Sequence, residues 1–472
     1  MFVERIEDKG LSHYSYAVGC DGVGQMAIVD PRRDVDVYLE FAAARAVRIT
    51  HVLETHIHAD YASGARELAE RTGAVLGLSA YDTGELYEAA FPHQALRDGD
   101  AIQFGAVRLE VLHTPGHTPE HIAFLVYDTA RTAQVPMVML SGDFLFVGSL
   151  GRPDLLGEDA KLGLARKLFA SVRNTLAGLP DGLEIAPAHG AGSMCGAGMS
   201  GRAVSTLGFE RVANPYLRPN LDEAQFVARI LGDVPPFPDY YRRMKTFNAA
   251  GPPSLHGLPG GEGLAVEEFR ALVETGHRVI DLRDQLAFGA GHVPGSFGIG
   301  AGSSVSTWAS WVVPYDTPLL LIGASAEARE QAVRSLVRVG LDEVRGYLLG
   351  GIEAWVRAGY PLAQTPQVSP RQLCARLDGD GGGRWHVLDV RTLAEWREGH
   401  VPGARHIMAG ELPQRAGELR ALQGTVALIC ASGHRSTVAA SVLERAGISN
   451  VANVTGGLNA WIQAGLPVSQ SA

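Results

Sequence analysis

The sequence predicts an α/β protein in three parts: a large N-terminal domain, then two smaller units with parallel sheets. Three observations predict it. Over residues 1–212, apolar strands alternate with helical spacing, and strand after strand ends in histidine or aspartate. A Gly/Pro-rich run from Gly251 to Gly263 then breaks regular structure. Past it the chain repeats itself. Asp281-Leu282-Arg283 with Gly291-His292-Val293-Pro294-Gly295 recurs as Asp389-Val390-Arg391 with Gly399-His400-Val401-Pro402-Gly403. Gly350-Gly351-Ile352-Glu353-Ala354-Trp355 recurs as Gly456-Gly457-Leu458-Asn459-Ala460-Trp461.

At 472 residues the chain is too long for one ordinary domain. The expected boundaries are 1–250, 251–365 and 366–472. Hydrophobic content of 46% and charged content of 19% describe a soluble globular protein. A net charge of −10 argues against phosphate-backbone binding, so no nucleic-acid partner is expected. The stretch Met1 to Lys9 is too acidic, and too short in apolar length, for a signal peptide. No run approaches the roughly 20 apolar residues of a membrane helix, so no membrane partner is expected. The cysteines Cys20, Cys195, Cys374 and Cys430 form no CxxC pair. That usage fits a reducing cytoplasm rather than a disulfide framework.

In chain order, Gln25 to Asp30 is a strand running into Pro31, and Asp34 to Ala46 has helical spacing, with Val35, Tyr38, Leu39 and Ala42 on one side. The strand Ile49 to Leu53 delivers Thr55-His56-Ile57-His58-Ala59-Asp60-Tyr61. Alternation puts His56, His58 and Asp60 on one side, where they are poor core material without a cation. A helix spans Gly64 to Thr72. Val107 to Leu112 ends at His113-Thr114-Pro115-Gly116-His117-Thr118, after which Ile122 to Tyr127 is a strand. Met137 to Leu140 ends at Ser141-Gly142-Asp143, and Ile185-Ala186-Pro187 leads to Ala188-His189-Gly190. Ligand types thus arrive one or two at a time at strand ends, as a metal centre on a sheet edge requires. Residues 213–260 read as a connector, broken at Asn214-Pro215, Pro235-Pro236-Phe237-Pro238 and Gly251-Pro252-Pro253, with a short helix at Phe226 to Leu231.

Within the repeat, D-x-R is expected to be an internal ion pair and G-H-V-P-G a turn. The copies differ where chemistry would sit. The second has Val426-Ala427-Leu428-Ile429-Cys430-Ala431-Ser432-Gly433-His434-Arg435-Ser436, then a helix from Thr437 to Ala446. A strand delivers Cys430 to a short loop at a helix N-terminus, where backbone N–H groups favour an anion and activate the sulfur. Arg435 adds positive charge. The first copy has Gly323 in the place of Cys430, within Leu319 to Ala326, and without a thiol it cannot carry sulfur covalently.

The order H-x-H-x-D, TPGHT, SGD, PAH resembles the metallo-β-lactamase fold, which implies an αββα sandwich. C-x-x-G-x-R-S resembles the active loop of rhodanese sulfurtransferases, over Asp389 to Trp461. It implies that Cys430 and Arg435 are catalytic, with Ser432, Gly433 and His434 against substrate. The first copy resembles an inactive rhodanese-like domain with packing or interface roles. Dinuclear zinc hydrolases of the metallo-β-lactamase fold use the residue after H-x-H-x-D, usually His, as a second-site ligand. Here it is Tyr61, so a single metal is expected.

The chain looks like the one-iron branch, the persulfide dioxygenases, fused to an inactive and an active rhodanese domain as in sulfide-detoxifying proteins. That implies His56, His117 and Asp143 around one Fe(II) per chain, with positions left for O2 and the substrate sulfur. Zinc has no accessible redox change and could not reduce O2. His58, Asp60 and His189 would orient the ligands or bond to bound solvent. Arg152, in Gly151-Arg152-Pro153-Asp154, matches a G-R-x-D whose Arg contacts the thiol carrier's carboxylate, and Tyr61 is counted with it as substrate-facing. Asn214-Pro215-Tyr216-Leu217 fits the family's N-P-x-L. Glutathione-specific members continue PAH with Asp-Tyr; this chain has His189-Gly190-Ala191-Gly192-Ser193-Met194-Cys195-Gly196. Glutathione, coenzyme A and similar persulfides therefore stay open as carriers, and Cys195 as sulfur handler or packed residue. The implied chemistry is R-SSH + O2 + H2O giving R-SH and sulfite, with Cys430 making or using thiosulfate. The other reading is a glyoxalase II-like thioester hydrolase with two zinc ions. A homo-oligomer is expected from the habit of such folds.

Overall fold

The computed structural model describes residues 1–470 except 233, 235–236, 324 and 380–382. Pro235, Pro236 and Ala324 of the stretches named above lie outside the described residues. The chain divides into two compact units, Met1–His256 with Val337–Gly340 and Gly257–Leu336 with Leu341–Ala472.

The first unit contains two six-stranded sheets. One runs Phe2–Asp8, His13–Cys20, Gln25–Val29, Arg48–Leu53, Val75–Ser79, Gln94–Leu96 in spatial order. It is antiparallel up to Gln25–Val29 and parallel beyond. The other runs Ser205–Thr206, Glu184–Pro187, Val138–Gly142, Ile122–Asp128, Val107–His113, Ala101–Phe104. Alternation along each strand splits its side chains between two cores. Tyr16, Val18, Ala27 and Val29 meet Leu109, Val111, Phe124 and Val126 between the sheets. Ala17, Met26, Ile28 and Val52 face the helices Asp36–Arg45 and Ala65–Thr72 through Tyr38, Ala42 and Leu68. Leu125, Tyr127 and Met139 face the helix Glu158–Asn174 through Leu168 and Val172. The result is an αββα sandwich. Burial on both faces explains the unbroken apolar run Ile122 to Tyr127, each such side chain contributing about 1.5–3 kcal/mol.

The stretch 213–260 holds the expected short helix, as Glu223–Gly232, and a second helix, Tyr240–Ala250, that the connector reading did not include. Pro215, Pro238 and Pro252 sit just beyond helix ends rather than preventing helices. Tyr240, Met244, Lys245 and Asn248 of the last helix are buried.

The second unit contains two five-stranded parallel sheets of the same order. The first is Gly263–Leu264, Val344–Leu348, Leu319–Ile322, Arg278–Asp281, Phe297–Gly298. The second is Gln367–Val368, Val451–Val454, Thr425–Ile429, Trp385–Asp389, Arg405–His406. Each D-x-R is an internal ion pair: Arg283 Nη2 lies 2.6 Å from Asp281 and Arg391 Nη2 2.7 Å from Asp389. Both guanidinium groups also donate to the carbonyl of the first glycine of G-H-V-P-G. The strand Thr425–Ile429 stops one residue short of Cys430. The helix after it begins at His434, not Thr437, so His434 and Arg435 lie in its first turn. Gly323, in the first copy, has φ +80°, and a Cβ there would stand 2.5 Å from Arg283 Cγ.

Candidate functional site

Of the groups that sequence placed at strand ends of the first unit, His56, Asp60, His117, Asp143 and His189 meet in one cluster. His56, His117 and Asp143 present ligand atoms within 4.8 Å of one another, and all three are buried. Asp143 Oδ2 lies 3.9 Å from His56 Nε2 and 3.5 Å from His117 Nε2.

The tautomers follow from hydrogen-bond counting. Thr55 Oγ1 has one proton and donates it to Asp30 Oδ2 at 2.9 Å. Its 3.0 Å contact with His56 Nδ1 therefore has the imidazole donating. That leaves the Nε2 lone pair of His56 toward Asp143. His117 Nδ1 donates to the Arg152 carbonyl at 2.8 Å, so its Nε2 is likewise a free acceptor. Burial, the largest cause, pushes both imidazoles well below the usual histidine range. Two neutral imidazoles thus face a carboxylate, and His117 Nε2 and both Asp143 oxygens lack a hydrogen-bond partner among the described residues. Burial pushes the Asp143 carboxyl up to about 6, His189 opposing. Orphaned buried acceptors of this kind need a cation, and two imidazoles with one carboxylate suit a divalent metal.

Close backbone approach makes the cluster possible. A Cβ on Gly151 would overlap the Asp143 carbonyl oxygen and stand 3.0 Å from His117 Nδ1. His121, which sequence reasoning passed over, accepts from the Asp143 backbone N–H at 3.0 Å and contacts Thr114 Oγ1 at 2.8 Å. Glu120 accepts from the Ile57 N–H at 3.1 Å. Asp30 was also missed. It ends a strand just as the noticed ligands do, and that shared position was the available signal. It holds φ +53° and accepts from Thr55 N at 2.7 Å.

His58 points elsewhere. Its Nε2 lies 3.1 Å from Asp30 Oδ1 and 3.7 Å from Glu54 Oε2. Burial works against its charge, but Asp30, Glu54 and Asp60 overcome this and raise it to about 9. Asp60 and His189 do reach the cluster, with His189 Nε2 3.3 Å from Asp60 Oδ2 and 3.5 Å from Asp143 Oδ1. Tyr61 and Arg152, both expected to face substrate, are both buried. Tyr61 is wholly buried, donates to the Asp30 carbonyl at 3.2 Å and packs on His13 and His58. Arg152 is buried, with Nε and Nη2 on Asp154 at 2.7 and 2.8 Å and Nη1 on the Met194 carbonyl. Its guanidinium buckles a loop, because a buried charge must be paired.

In the second unit, Cys430 Sγ accepts from the Gly433 backbone N–H at 3.0 Å and from Ser436 Oγ at 3.4 Å. Both donors sit at the N-terminus of the helix His434–Arg445. Arg435 forms a two-pronged pair with Glu395, at 2.7 and 2.6 Å, that sequence reasoning missed. Ser432 is exposed on the same loop, and His434, in the first turn of the helix, is half-buried.

Comparison with known proteins agrees with both halves. The model of the metallo-beta-lactamase superfamily matches residues 8–189, and that of the rhodanese-like domain matches 265–358 and again 370–464. A probable metallo-hydrolase of Burkholderia pseudomallei is 31% identical over 48% of this chain and 84% of its own length. The chain belongs to the metallo-beta-lactamase superfamily. Other superfamily relatives diverge in name. The mitochondrial persulfide dioxygenase ETHE1 of Bos taurus is 28% identical over 44% of this chain and 73% of its own. The hydroxyacylglutathione hydrolase GloC of Haemophilus influenzae is 27% identical over 40% and 86%. The crystal structure of a metallo-beta-lactamase from Staphylococcus aureus is 35% identical, with a TM-score of 0.65, over 74% of this chain and 98% of that one. That superfamily likeness runs past the N-terminal sandwich. Among the described residues, no helix is long and apolar enough to cross a membrane.

Proposed function

We propose that the chain oxidises a low-molecular-weight persulfide with O2 at one Fe(II) held by His56, His117 and Asp143, and moves sulfane sulfur through Cys430. The observation that carries this is the convergence of unpartnered, buried His117 Nε2 and Asp143 oxygens with the His56 lone pair, in a chain that also contains a C-x-x-G-x-R thiol loop. An iron ion there would supply the redox change that O2 chemistry needs, with positions open to O2 and sulfur.

The chain's own groups set the conditions. The Arg152 carbonyl and Thr55 Oγ1 fix His117 and His56 as neutral, outward-facing donors to a metal. His121 fixes the Asp143 backbone. In the thiol loop, the Gly433 N–H and Ser436 Oγ point at sulfur and would stabilise its anion. Attack by the Cys430 thiolate on a sulfane sulfur breaks the donor's S–S bond, leaves Cys430–S–S⁻ and expels the donor as its anion. From thiosulfate that anion is sulfite. The acceptor then attacks the outer sulfur and Cys430 leaves as thiolate.

The thioester hydrolase reading draws on one observation, the approach of Asp60 and His189 to Asp143. Reconstitution separates the two. Anaerobic Fe(II) loading of the full chain should give O2 uptake with glutathione, coenzyme A or inorganic persulfide. His117→Ala and Asp143→Ala should abolish uptake and leave thiosulfate–cyanide sulfur transfer, with Cys430→Ser doing the reverse. Zinc-dependent thioester cleavage without O2 uptake would overturn the dioxygenase reading.

A further inference from the structure

The thiol loop is held from outside, by its carbonyls. That of Cys430 accepts from Leu458 N at 2.7 Å and that of Ala431 from Asn459 N at 3.1 Å. The Ser432 carbonyl accepts from Gln285 Nε2 at 3.4 Å. The Gly433 carbonyl accepts from Thr437 N at 3.2 Å, from Thr437 Oγ1 at 2.9 Å and from Asn453 Nδ2 at 3.3 Å. In a trans peptide the C=O and the N–H that follows it point opposite ways. Four carbonyls drawn outward therefore turn the N–H groups of Ala431, Ser432, Gly433 and His434 toward the inside of the loop. That of Gly433 reaches Cys430 Sγ at 3.0 Å.

One of these outside groups is poor packing material. Asn453 lies on the strand Val451–Val454 and is fully buried. Its amide orientation follows from its neighbours. Gln367 Nε2 donates to the Thr365 carbonyl at 3.1 Å, so the atom 3.1 Å from Asn453 Nδ2 is Gln367 Oε1. That oxygen and the Gly433 carbonyl can only accept, so Asn453 turns its NH2 toward both. Thr437 Oγ1 has donated its one proton to Gly433 and accepts from the same nitrogen at 3.1 Å. Asn453 Oδ1, in contrast, is buried with no hydrogen-bond partner among the described residues. An orphaned buried acceptor destabilises, and an apolar side chain of that size would avoid it. Packing alone does not account for an amide here.

The thiol-free copy supplies the comparison. Asn453 pairs with Leu428 on one side and Gln367 on the other, as Tyr347 pairs with Leu321 and Gly263. Tyr347 and Gly263 thus stand where the thiol copy has Asn453 and Gln367. Counted from Gly323 and Cys430, Ala326 and Glu330 stand where it has Gly433 and Thr437. The whole polar set is replaced in the copy that lacks the thiol.

We propose that Asn453 is a positioning residue for sulfur transfer: it ties the Gly433–His434 peptide to the sheet, so that the N–H groups of the loop converge on the Cys430 thiolate and on the sulfur it carries. The inference rests on the sulfur-transfer reading of Cys430. Asn453 acts through Gly433, so its loss lowers the thiolate fraction rather than the affinity for a sulfur donor. The acceptors it leaves keep other donors, Thr437 for Gly433 and Thr455 Oγ1, at 3.4 Å, for Gln367. Removal is therefore compatible with folding.

The test is the pH dependence of Cys430 alkylation by iodoacetamide in the full chain, followed on the Cys430 peptide by mass spectrometry. Wild type, Asn453→Leu and Asn453→Ala are compared, with circular dichroism reporting the fold. The alkylation midpoint should rise by about one pH unit or more in both variants. At neutral pH, kcat for thiosulfate–cyanide transfer should fall about tenfold while KM stays within about twofold. The rate should recover above the new midpoint. Thr455→Val, which removes only the Thr455 bond to Gln367, should match wild type. An unmoved midpoint in folded variants, a kcat loss that persists at every pH, or unfolding of both variants overturns the proposal. Alkylation needs no sulfur donor. Wild type that transfers no sulfur would sink the transfer reading, while the midpoint still tests the positioning.

Discussion

Thr55 Oγ1 can donate only once, and it donates to Asp30. The consequence is a fixed His56 tautomer with its Nε2 lone pair toward Asp143. Thr55→Val keeps the shape and removes the acceptor. Groups behind metal ligands contribute about 10–100-fold to affinity. We expect a loss in that range for iron, measured by competition with a chelator, and unchanged affinity would count against the assignment. Glu395 acts the same way on Arg435. Burial opposes its charge, but Arg435 and Thr392 hold the carboxyl down at about 2, against an ordinary 4.5. A depressed carboxylate gives its stabilisation fully above the unfolded value and loses it as pH falls through the folded one. The pair should therefore be intact above about pH 4.5 and fade towards about 2. The pH profile of sulfur transfer should show no acidic limb from Glu395 above about 4.5. A limb there that disappears in Glu395→Gln would refute this. Sequence made His56, His117, Asp143 and Cys430 visible because each follows a strand within a dense motif. Thr55, His121 and Glu395 are defined only by what they touch, and no local pattern records that.

At the scale of elements, the helix Tyr240–Ala250 carries the most that sequence hid. Asn248 Nδ2 donates to the His58 and Tyr61 carbonyls at 2.9 and 2.8 Å, and its Oδ1 accepts from Ser63 N at 2.9 Å. Lys245 Nζ donates to the Ile57 carbonyl at 2.7 Å, and Tyr240 Oη to that of Asp60 at 3.1 Å. One helix thus satisfies four carbonyls of the H-x-H-x-D loop, those of Ile57, His58, Asp60 and Tyr61. Surrounding prolines and glycines disguised it as a connector, whereas the sandwich strands, buried on both faces, were readable by apolar runs alone. Asn248→Ala orphans three buried groups at about 1–3 kcal/mol each, not fully additive. We expect a loss of about 3–5 kcal/mol in denaturant unfolding and weaker metal binding, whereas the exposed Thr246→Ala should change little.

At the scale of the molecule, the repeat was legible because its motifs recur, yet the use made of the thiol-free copy was not. Contacts between copies pair residues with no common pattern. In the second unit, Glu444 Oε2 accepts from His292 Nε2 at 2.9 Å, and its Oε1 from the Gly295 N–H at 3.0 Å. Arg445 Nη1 donates to the Gly295 carbonyl at 2.7 Å. At the other end of the same helix, Gln285 Nε2 donates to the Ser432 carbonyl at 3.4 Å. The copy with Gly323 thus grips, at both ends, the helix whose N-terminus faces Cys430. A side chain at Gly323 would meet a left-handed backbone and the Arg283 side chain. Glu444→Ala removes charge-assisted bonds worth about 1.5–3 kcal/mol each before relaxation. At roughly 2–4 °C per kcal/mol, thermal unfolding of the second unit should move down by several degrees. Sulfur transfer should lose kcat more than KM, because the bonds hold the loop rather than the substrate, while O2 uptake by the same iron-loaded chain stays level. Equal loss of kcat in a Glu444→Gln variant that keeps the melting temperature would show that the carboxylate charge matters beyond the grip.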